Sequence, residues 1–273
     1  MTSTTLTPQL RQELHDAVLG AARDIAALLG PQTDPTVPIP GAEWNVGEAA
    51  AHLLLANQLM AEVAAGTERP YGDGTPGGIA AANAVSLDQF TERTPAVLAQ
   101  GIVAHATAFV DAANGQQGDT PTVTPMGPMD LDTFASYLLT HMLGHGWDLA
   151  RALRRPHMVD RRRVELCLPF LMTAMPRVVD QGAAKDLTAT YTLGLRGLDR
   201  RWTAAFTRGE VTVTEGAAPP GGSDCTIVTE PVTFFLIALG RCSPWSAIAR
   251  GKILSWGRKP WLGPVFPRCF RAP

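Results

Sequence analysis

HMLGHGWDLARAL, residues 141–153, carries two histidines four positions apart within a stretch that otherwise has the pattern of an amphipathic helix. The apolar stripe of this helix begins at Leu131 and runs through Leu138 into His141 and His145, so both imidazoles are expected to face the interior. Side chains at positions i and i+4 lie one turn apart on the same face and can converge. This spacing leaves two interpretations open: buried histidines held by hydrogen bonds, or two ligands of one metal ion.

Three more helices are predicted upstream, each marked by a start signal and an apolar stripe. Thr7 followed by Pro8 has the pattern of an N-cap with proline at the first helical position. Asn45 and Glu48 have the spacing of a capping box at the start of the second helix. The predicted spans are Thr7 to Gly30, Asn45 to Gly66, about Ser86 to Asn114 with a break at Pro95, and a last helix from Asp130.

From about residue 186 the hydrophobic pattern alternates with a period of two, as in strands. Segments such as LTATYTLGLRG and EVTVTEG are separated by turn-forming residues, and Arg208 with Gly209 has the pattern of a hairpin tip. The chain is therefore predicted to be an α+β protein of two domains. An up-and-down four-helix bundle occupies residues 1–184, including a bridging helix in RRRVELCLPFLMTAMPRVV, and a small α+β domain occupies residues 185–273.

The composition of the 273-residue chain is that of a soluble globular protein, with 45% hydrophobic and 18% charged residues. A net charge of −2 gives no reason to expect a nucleic-acid partner. No apolar run approaches the ~20 residues of a membrane span, and MTSTTLTPQLRQEL at the start lacks the pattern of a secretory signal. We therefore predict a cytoplasmic protein without a membrane span, whose four cysteines are free thiols.

The charges are distributed unevenly, because no acidic residue follows Glu230 whereas seven basic residues do. Aromatic residues are interleaved with the basic ones in the same segment: Trp256, Trp261, Phe266 and Phe270. The positive charge could attract an anionic substrate, a lipid headgroup or an acidic protein surface. The aromatic residues could line a tunnel for an apolar ligand, or touch a membrane surface together with the basic ones. We prefer the simplest interpretation, a tail that packs over its own domain.

A third histidine strengthens the metal interpretation. His52 lies in AAHLLLANQ on the second predicted helix, among residues that also face the core. Three neutral imidazoles from two facing helices would form a site with at least one open position, as in catalytic metal centres. Zinc suits such ligands, and imidazole also binds nickel, iron, cobalt and copper. Glu48 is an alternative ligand, ranked below its capping role, and His15, His105 and His157 are predicted at the surface.

Three stretches of the sequence resemble the mycothiol-dependent maleylpyruvate isomerase family, a branch of the DinB-like metalloproteins. They are PGAEWNVGEAAAHL (residues 40–53), MGPMDLDTFASYLLTHMLGHGWDLARAL (126–153) and DCTIVTEPVTFFLIALGRCSPWSAIARGKILSWG (224–257). The first two are similar to the signatures of a DinB-like four-helix bundle, and the third to the C-terminal part of a sterol-carrier-like domain. The resemblance covers most of the chain and implies the same two-domain fold.

The resemblance also implies a ligand set, with one metal ligand from the second helix and two from the fourth. By motif these ligands fall on His52, His141 and His145 of this chain. The isomerase pattern has a glutamate where this chain has His141, so the net charge of the site is higher by one and the bound ion is a stronger Lewis acid. All-histidine sites are common elsewhere in the DinB-like group, so histidine in place of this glutamate is compatible with metal binding.

Three other side chains belong to the predicted site. Asp148 follows the last ligand by three residues and is expected to orient its imidazole, with an ion pair to Arg151 or Arg155 as the alternative. Arg93 resembles an arginine that family members place near the active site for an anionic substrate, although a solvated arginine fits the sequence equally well. Arg201 is a further candidate for substrate binding.

An open metal site in a bundle core supports two kinds of chemistry. It can lower the pKa of a bound thiol, or it can activate water or polarise a carbonyl. The resemblance implies the first, with mycothiol, the actinobacterial thiol, as cosubstrate and a divalent metal, zinc first, as cofactor. The predicted reaction isomerises a small unsaturated acid or transfers the thiol to an electrophile. Two alternatives stay open: a thiol-independent metalloenzyme for hydrolysis, cyclisation or addition, and a non-catalytic protein that binds an apolar ligand.

Overall fold

Helix boundaries in the N-terminal part follow the capping residues of the sequence. Thr7 accepts a hydrogen bond from the Leu10 amide, and Asn45 and Glu48 form a reciprocal capping box. The computed structural model describes residues 6–69, 71–73, 75–216 and 222–271. The first of two compact units, Met1–Val159, contains α1 (Pro8–Leu28), α2 (Val46–Ala64), α3 (Ile79–Gln89), α4 (Pro95–Asn114), β1 (Pro121–Thr124), β2 (Gly127–Asp130) and α5 (Leu131–Ala152).

The long helices α1, α2, α4 and α5 form a bundle in which α1 and α2 each contact both α4 and α5. Phe109 of α4 and Phe134 of α5 are fully buried, and their rings meet edge to face with centroids 5.3 Å apart. Full burial of one large apolar side chain stabilises the folded state by ~1.5–3 kcal/mol. The apolar stripes of the four helices therefore account for their assembly, and the predicted bundle is confirmed.

Among the described residues, α4 is the one helix whose length and composition would allow it to span a membrane. Its side chains Leu98, Ile102 and Phe109 are fully buried, and the helix contacts α1 and α2. Core helices of soluble proteins meet the same length and hydropathy test, so this finding is weak evidence of a span. The helix meets this test through its length and mean hydropathy and not as an unbroken apolar run, because Gln100, His105 and Asp111 interrupt it.

The segment between α2 and α5 differs from the prediction in two places. Helix α3 begins at Ile79 and not near Ser86, because the alanine-rich sequence IAAANAV has high helix propensity. The loop predicted before Asp130 contains the antiparallel hairpin β1–β2, whose four-residue strands each contain a proline and lack a clear period of two. The predicted break at Pro95 is confirmed, since α4 begins there.

The described part of the second unit, Asp160–Pro273, contains a five-stranded sheet and four α-helices. Its elements are α6 (Arg161–Ala174), α7 (Gln181–Ala184), β3 (Thr188–Leu195), β4 (Arg201–Thr207), β5 (Glu210–Glu215), β6 (Cys225–Thr229), α8 (Pro231–Ala238), α9 (Pro244–Ala249) and β7 (Ile253–Trp256). The strand order is β5-β4-β3-β6-β7, with β3 and β6 parallel and the other neighbours antiparallel. The predicted α+β domain is confirmed.

The β4–β5 hairpin closes where the sequence indicated. Arg208 and Gly209 both have positive φ, 48° and 90°, as both central residues of a type I′ turn require. The turn leaves Phe206 directly opposite Val211 in the register, and both side chains lie in the core of the second unit. Its local backbone conformation thus sets which side chains of the hairpin are buried.

The division between the two units falls earlier than the predicted domain boundary. It lies between Val159 and Asp160, whereas the prediction placed the bridging helix with the bundle, up to residue 184. The bridging helix is α6, which contacts α8 and contributes Leu168 and Met172 to the core of the second unit. These contacts explain why the division lies before α6. The predicted domain boundary between residues 184 and 185 stays a prediction.

The aromatic C-terminal segment divides into a packed half and an exposed half. Phe266 is buried, with its ring centroid 4.9 Å from that of Tyr191, and the Phe270 ring lies 5.1 Å from that of Phe266. Trp256 and Trp261 are instead 50% and 66% exposed. The predicted packing of the tail over its own domain is therefore confirmed for the two phenylalanines and wrong for the two tryptophans.

The surface position predicted for His15 is wrong, because the side chain is only 1% exposed in the bundle. Its Nδ1 lies 2.9 Å from the side-chain oxygen of Asn114. The nearest charged groups include Arg11 and Asp132, which form an ion pair with each other at 2.9 Å. Burial is the largest cause that lowers the pKa of His15 below its ordinary value, so the ring is neutral in the folded protein at neutral pH.

Acid should destabilise the protein through His15. Its pKa is about 6.5 in an unfolded chain and lower in the folded one, so only the unfolded state gains a proton as the pH falls below that value. The free energy of unfolding should then decrease by up to ~1.4 kcal/mol per pH unit from this group. Urea unfolding midpoints at about pH 7 and about pH 5 should differ less in His15→Gln than in wild type. An unchanged difference would contradict this, and His157→Gln controls for the loss of an exposed histidine.

Candidate metal centre

The start of α2 fixes the position of the first histidine. The Asn45 side chain accepts a hydrogen bond from the Glu48 amide at 2.9 Å, and the Glu48 carboxylate accepts one from the Asn45 amide at 2.8 Å. His52 follows Asn45 by two turns of helix and is only 5% exposed. The capping role predicted for Glu48 is confirmed.

Helix α5 supplies two more imidazoles from one face. The ring centroids of His141 and His145 are 4.6 Å apart. The ring of His52 lies 4.9 Å from that of His141 and 4.8 Å from that of His145. One ring nitrogen of each histidine lies within 4.8 Å of those of the other two. The structure therefore brings together all three side chains that the sequence nominated.

The chemistry of this donor set fits a divalent metal ion. Two imidazoles on a tetrahedral zinc ion hold their nitrogens ~3.3 Å apart, because each Zn–N bond is ~2.0–2.1 Å. The Nε2 atoms of His52 and His141 are 2.9 Å apart, close to that spacing. Burial lowers the pKa of His52 to about 4, so its ring is neutral at neutral pH, which is the form that binds metals.

Asp148 lies on α5 one turn beyond His145. Its Oδ2 is 3.8 Å from Nδ1 of His145, and the two side chains are 14% and 17% exposed. This distance is too long for a direct hydrogen bond and short enough for electrostatic attraction. The carboxylate thus lies on the side of His145 from which it could orient the ring, and that role stays a prediction.

Trp44, directly before the cap of α2, contacts two of the histidine rings and also lines an open cavity of about 550 Å³. Its ring centroid is 4.8 Å from that of His52 and 6.0 Å from that of His145. Leu87 and Phe90, at the end of α3, also line this cavity. No role was predicted for Trp44 from the sequence. The position of Trp44 directly before the N-cap of the helix that carries His52 could have indicated that it lies near the site.

Tyr137 is a second neighbour of the site that the sequence analysis missed. Its ring meets the His141 ring edge-on with centroids 6.4 Å apart. Burial raises the pKa of the Tyr137 hydroxyl above its ordinary value, so the group is a phenol and not a phenolate at neutral pH. Its spacing of one turn from His141 on the same stripe could have indicated it.

The two predicted substrate-binding arginines lie in different units. Arg93 lines the same cavity as Trp44, and its guanidinium donates hydrogen bonds to three backbone carbonyls near the end of α3. Arg201 lies on β4 and donates to two carbonyls of the turn before that strand. A role in substrate binding stays a prediction for both arginines.

Two sequence families match the chain. Residues 15–150, which contain all three histidines, match the mycothiol maleylpyruvate isomerase N-terminal domain, and residues 173–254 match the SCP-2 sterol transfer family. The helical unit belongs to the mycothiol maleylpyruvate isomerase family. The resemblance carried by the histidine motifs is thereby confirmed, as is the sterol-carrier-like character of the second unit. No curated protein sequence matches the chain significantly.

Solved structures of the mycothiol-dependent maleylpyruvate isomerase are similar in fold. A mutant of that isomerase is 14% identical with a TM-score of 0.50, over 90% of this chain and 92% of that one. Another structure of it has the same identity and coverage and a TM-score of 0.48. The sec-alkylsulfatase Pisa1 from Pseudomonas sp. is 18% identical with a TM-score of 0.35, over 52% of this chain and 24% of that one. The chain thus spans about a quarter of the sulfatase.

The protein should bind about one equivalent of a divalent metal through His52, His141 and His145. Alanine at any of these positions removes one of three ligands, so each variant should bind the metal at least about tenfold more weakly. Metal content measured by mass spectrometry after reconstitution with zinc, nickel or iron tests this. His105→Ala changes a half-buried histidine outside the cluster and should keep the wild-type stoichiometry. A wild-type protein that stays metal-free would contradict the assignment.

Proposed function

We propose that this protein is a metal-dependent enzyme that uses mycothiol as a nucleophile toward a small, electrophilic, anionic substrate. The convergence of three imidazoles inside a bundle of the mycothiol maleylpyruvate isomerase family supports the proposal most directly. A divalent ion held by His52, His141 and His145 would lower the pKa of a bound thiol, so that a thiolate exists at neutral pH. Zinc is the metal that we propose first.

The surrounding side chains would prepare the site for this chemistry. Asp148 attracts the Nδ1 side of His145 and would hold the ring in the orientation that a ligand needs. The Trp44 ring lies beside those of His52 and His145, so it would limit the access of water to the thiolate. Tyr137 would offer a hydroxyl as a hydrogen-bond donor near His141.

Two outcomes of thiolate attack are consistent with the proposal. In an isomerisation, the sulfur adds to one carbon of a conjugated double bond, which becomes a single bond, and the electron pair moves toward the carbonyl. Rotation and loss of the thiolate then restore the double bond in the trans form. In an S-transfer, the neighbouring carbon, which received the electron pair, takes up a proton, and the thioether is kept. We propose isomerisation first, because the family is named for it.

Arg93 is our proposed contact for the anionic group of the substrate. It shares the cavity wall with Trp44, and three carbonyl hydrogen bonds fix its guanidinium there. A fixed cation loses little conformational entropy when it binds a carboxylate. For Arg201, which lies in the second unit, substrate binding stays a separate prediction.

A second candidate function keeps the metal and omits the thiol. His141 stands where the isomerase pattern has glutamate, so three neutral ligands leave the full charge of a divalent ion uncompensated. Such an ion polarises water or a carbonyl more strongly than one with a carboxylate ligand. Hydrolysis, cyclisation or addition without mycothiol would follow from this chemistry. Simple binding of an apolar ligand by the second unit is the non-catalytic alternative.

The thiol requirement separates these functions. The metal-loaded protein should isomerise maleylpyruvate, or consume a comparable unsaturated acid, only when mycothiol is present. His145→Ala should lower kcat/KM by at least about 100-fold, since the metal supplies several kcal/mol of stabilisation. Chromatography distinguishes an isomerised product from a mycothiol thioether. Equal turnover with and without the thiol would contradict the proposal and support the second candidate, and a metal-loaded protein inactive with a panel of electrophiles would favour simple binding.

Trp44→Ala should open the histidine cluster to solvent without removing a ligand. The variant should keep the wild-type metal stoichiometry but lose about tenfold or more in kcat/KM, because water then competes for the space beside the imidazoles. Steady-state kinetics and metal analysis of the same preparation measure both quantities. Trp44→Phe retains an aromatic ring and should recover most of the activity, whereas full activity of Trp44→Ala would show that the ring does not shield the site.

A further inference from the structure

Four of the seven large hydrophobic side chains that are exposed in the described part of the chain lie within residues 245–261. They are Trp245, Leu254, Trp256 and Trp261, with exposed fractions of 60%, 50%, 50% and 66%. The other three are single valines elsewhere in the chain, which need no explanation. Exposed tryptophans clustered in this way mark an interaction surface. We refer to the four residues as the tryptophan surface.

The tryptophan surface lies on neighbouring elements of the second unit. Helix α9, which carries Trp245, contacts β7, and β7 contacts the short helical turn Pro260–Leu262 that carries Trp261. Leu254 and Trp256 are two residues apart on β7, so their side chains leave the same side of the strand. Strand β7 forms one edge of the sheet. The four side chains are therefore carried by one edge of this unit.

Basic side chains are interleaved with the tryptophans. They are Arg250, Lys252, Arg258 and Lys259, all exposed. The Asp224 carboxylate lies 3.2 Å from both Arg258 and Lys259, and that of Glu230 lies 3.7 Å from Lys252. Arg250 contacts the Ser246 hydroxyl and the Cys242 sulfur. Three of the four cations thus pair with two carboxylates, and the group of side chains keeps a net positive charge.

We propose that the tryptophan surface docks onto an anionic phospholipid bilayer. Tryptophan prefers the headgroup region of a bilayer, where its apolar ring and its N–H are both accommodated. The interleaved basic side chains are attracted to the negative potential of such a surface. A second copy of the chain would bring another positive surface against this one, so charge repulsion disfavours it as the occupant. The proposal does not depend on the histidine cluster.

Co-sedimentation of the full chain with lipid vesicles tests this proposal. The protein should sediment with vesicles of phosphatidylcholine mixed with phosphatidylglycerol and stay in solution with phosphatidylcholine alone. Binding should weaken between about 0.1 M and about 1 M salt, as the screening length falls from ~10 Å to ~3 Å. Vesicles with brominated lipid should quench part of the tryptophan fluorescence, because the rings enter the interface.

Two pairs of variants separate the aromatic and the electrostatic contributions. Trp256→Ser with Trp261→Ser should weaken vesicle binding at least about tenfold, and Arg250→Glu with Lys252→Glu should weaken it at least about fivefold per residue changed. Val123→Ser and Lys185→Glu alter an exposed apolar and an exposed basic residue elsewhere and should bind as wild type. Circular dichroism melting should show that all variants stay folded.

Three outcomes would overturn the proposal. One is a wild-type protein that ignores anionic vesicles. Another is vesicle binding that survives both pairs of substitutions. The third is a dimer in light scattering that the tryptophan substitutions dissociate, without any vesicle binding, since the surface would then be an interface between two copies.

Discussion

The reciprocal hydrogen bonds between Asn45 and Glu48 fix the start of α2, and with it the place of His52 in the histidine cluster. A helix that began one residue earlier or later would rotate His52 by about 100° about the helix axis. The same cap holds Trp44 immediately outside the helix, where its ring contacts His52 and His145. One local interaction of two side chains thus connects the backbone of α2 to the geometry of a site shared with α5.

Secondary structure could be predicted from the sequence wherever a capping or turn residue stood next to a regular spacing of apolar residues. The starts of α1, α2 and α5 coincide with capping residues that lie next to apolar stripes, and the turn at Arg208 and Gly209 needs a backbone conformation that few residue pairs adopt. The three histidines could be nominated because they replace apolar residues on stripes that must face the interior. The structure brings these three rings together, and their role as metal ligands stays a prediction.

Other features depended on contacts between distant segments, which no local pattern encodes. His15 can be buried because its ring forms a hydrogen bond with the side chain of Asn114, which lies far away in the sequence. The role of Trp44 depends on two helices that meet only in the folded bundle. In the same way, Phe266 and Trp261 are both aromatic residues of the C-terminal segment. The Phe266 ring packs against Tyr191, whereas Trp261 is exposed. Burial of an aromatic residue is decided by the space that the rest of the fold leaves for it.

The proposed ligands come from helices that are far apart in the sequence, so a bound ion would act as a cross-link between α2 and α5. An ion that binds only the folded chain stabilises it by ~2.7 kcal/mol when its free concentration is about 100 times the dissociation constant. A cell poor in that metal would then hold more unfolded chain, and its proteases would remove it. The abundance of this protein would then rise and fall with the metal supply of the cell. The amount of active protein would be adjusted to that supply even without a change in the expression of its gene.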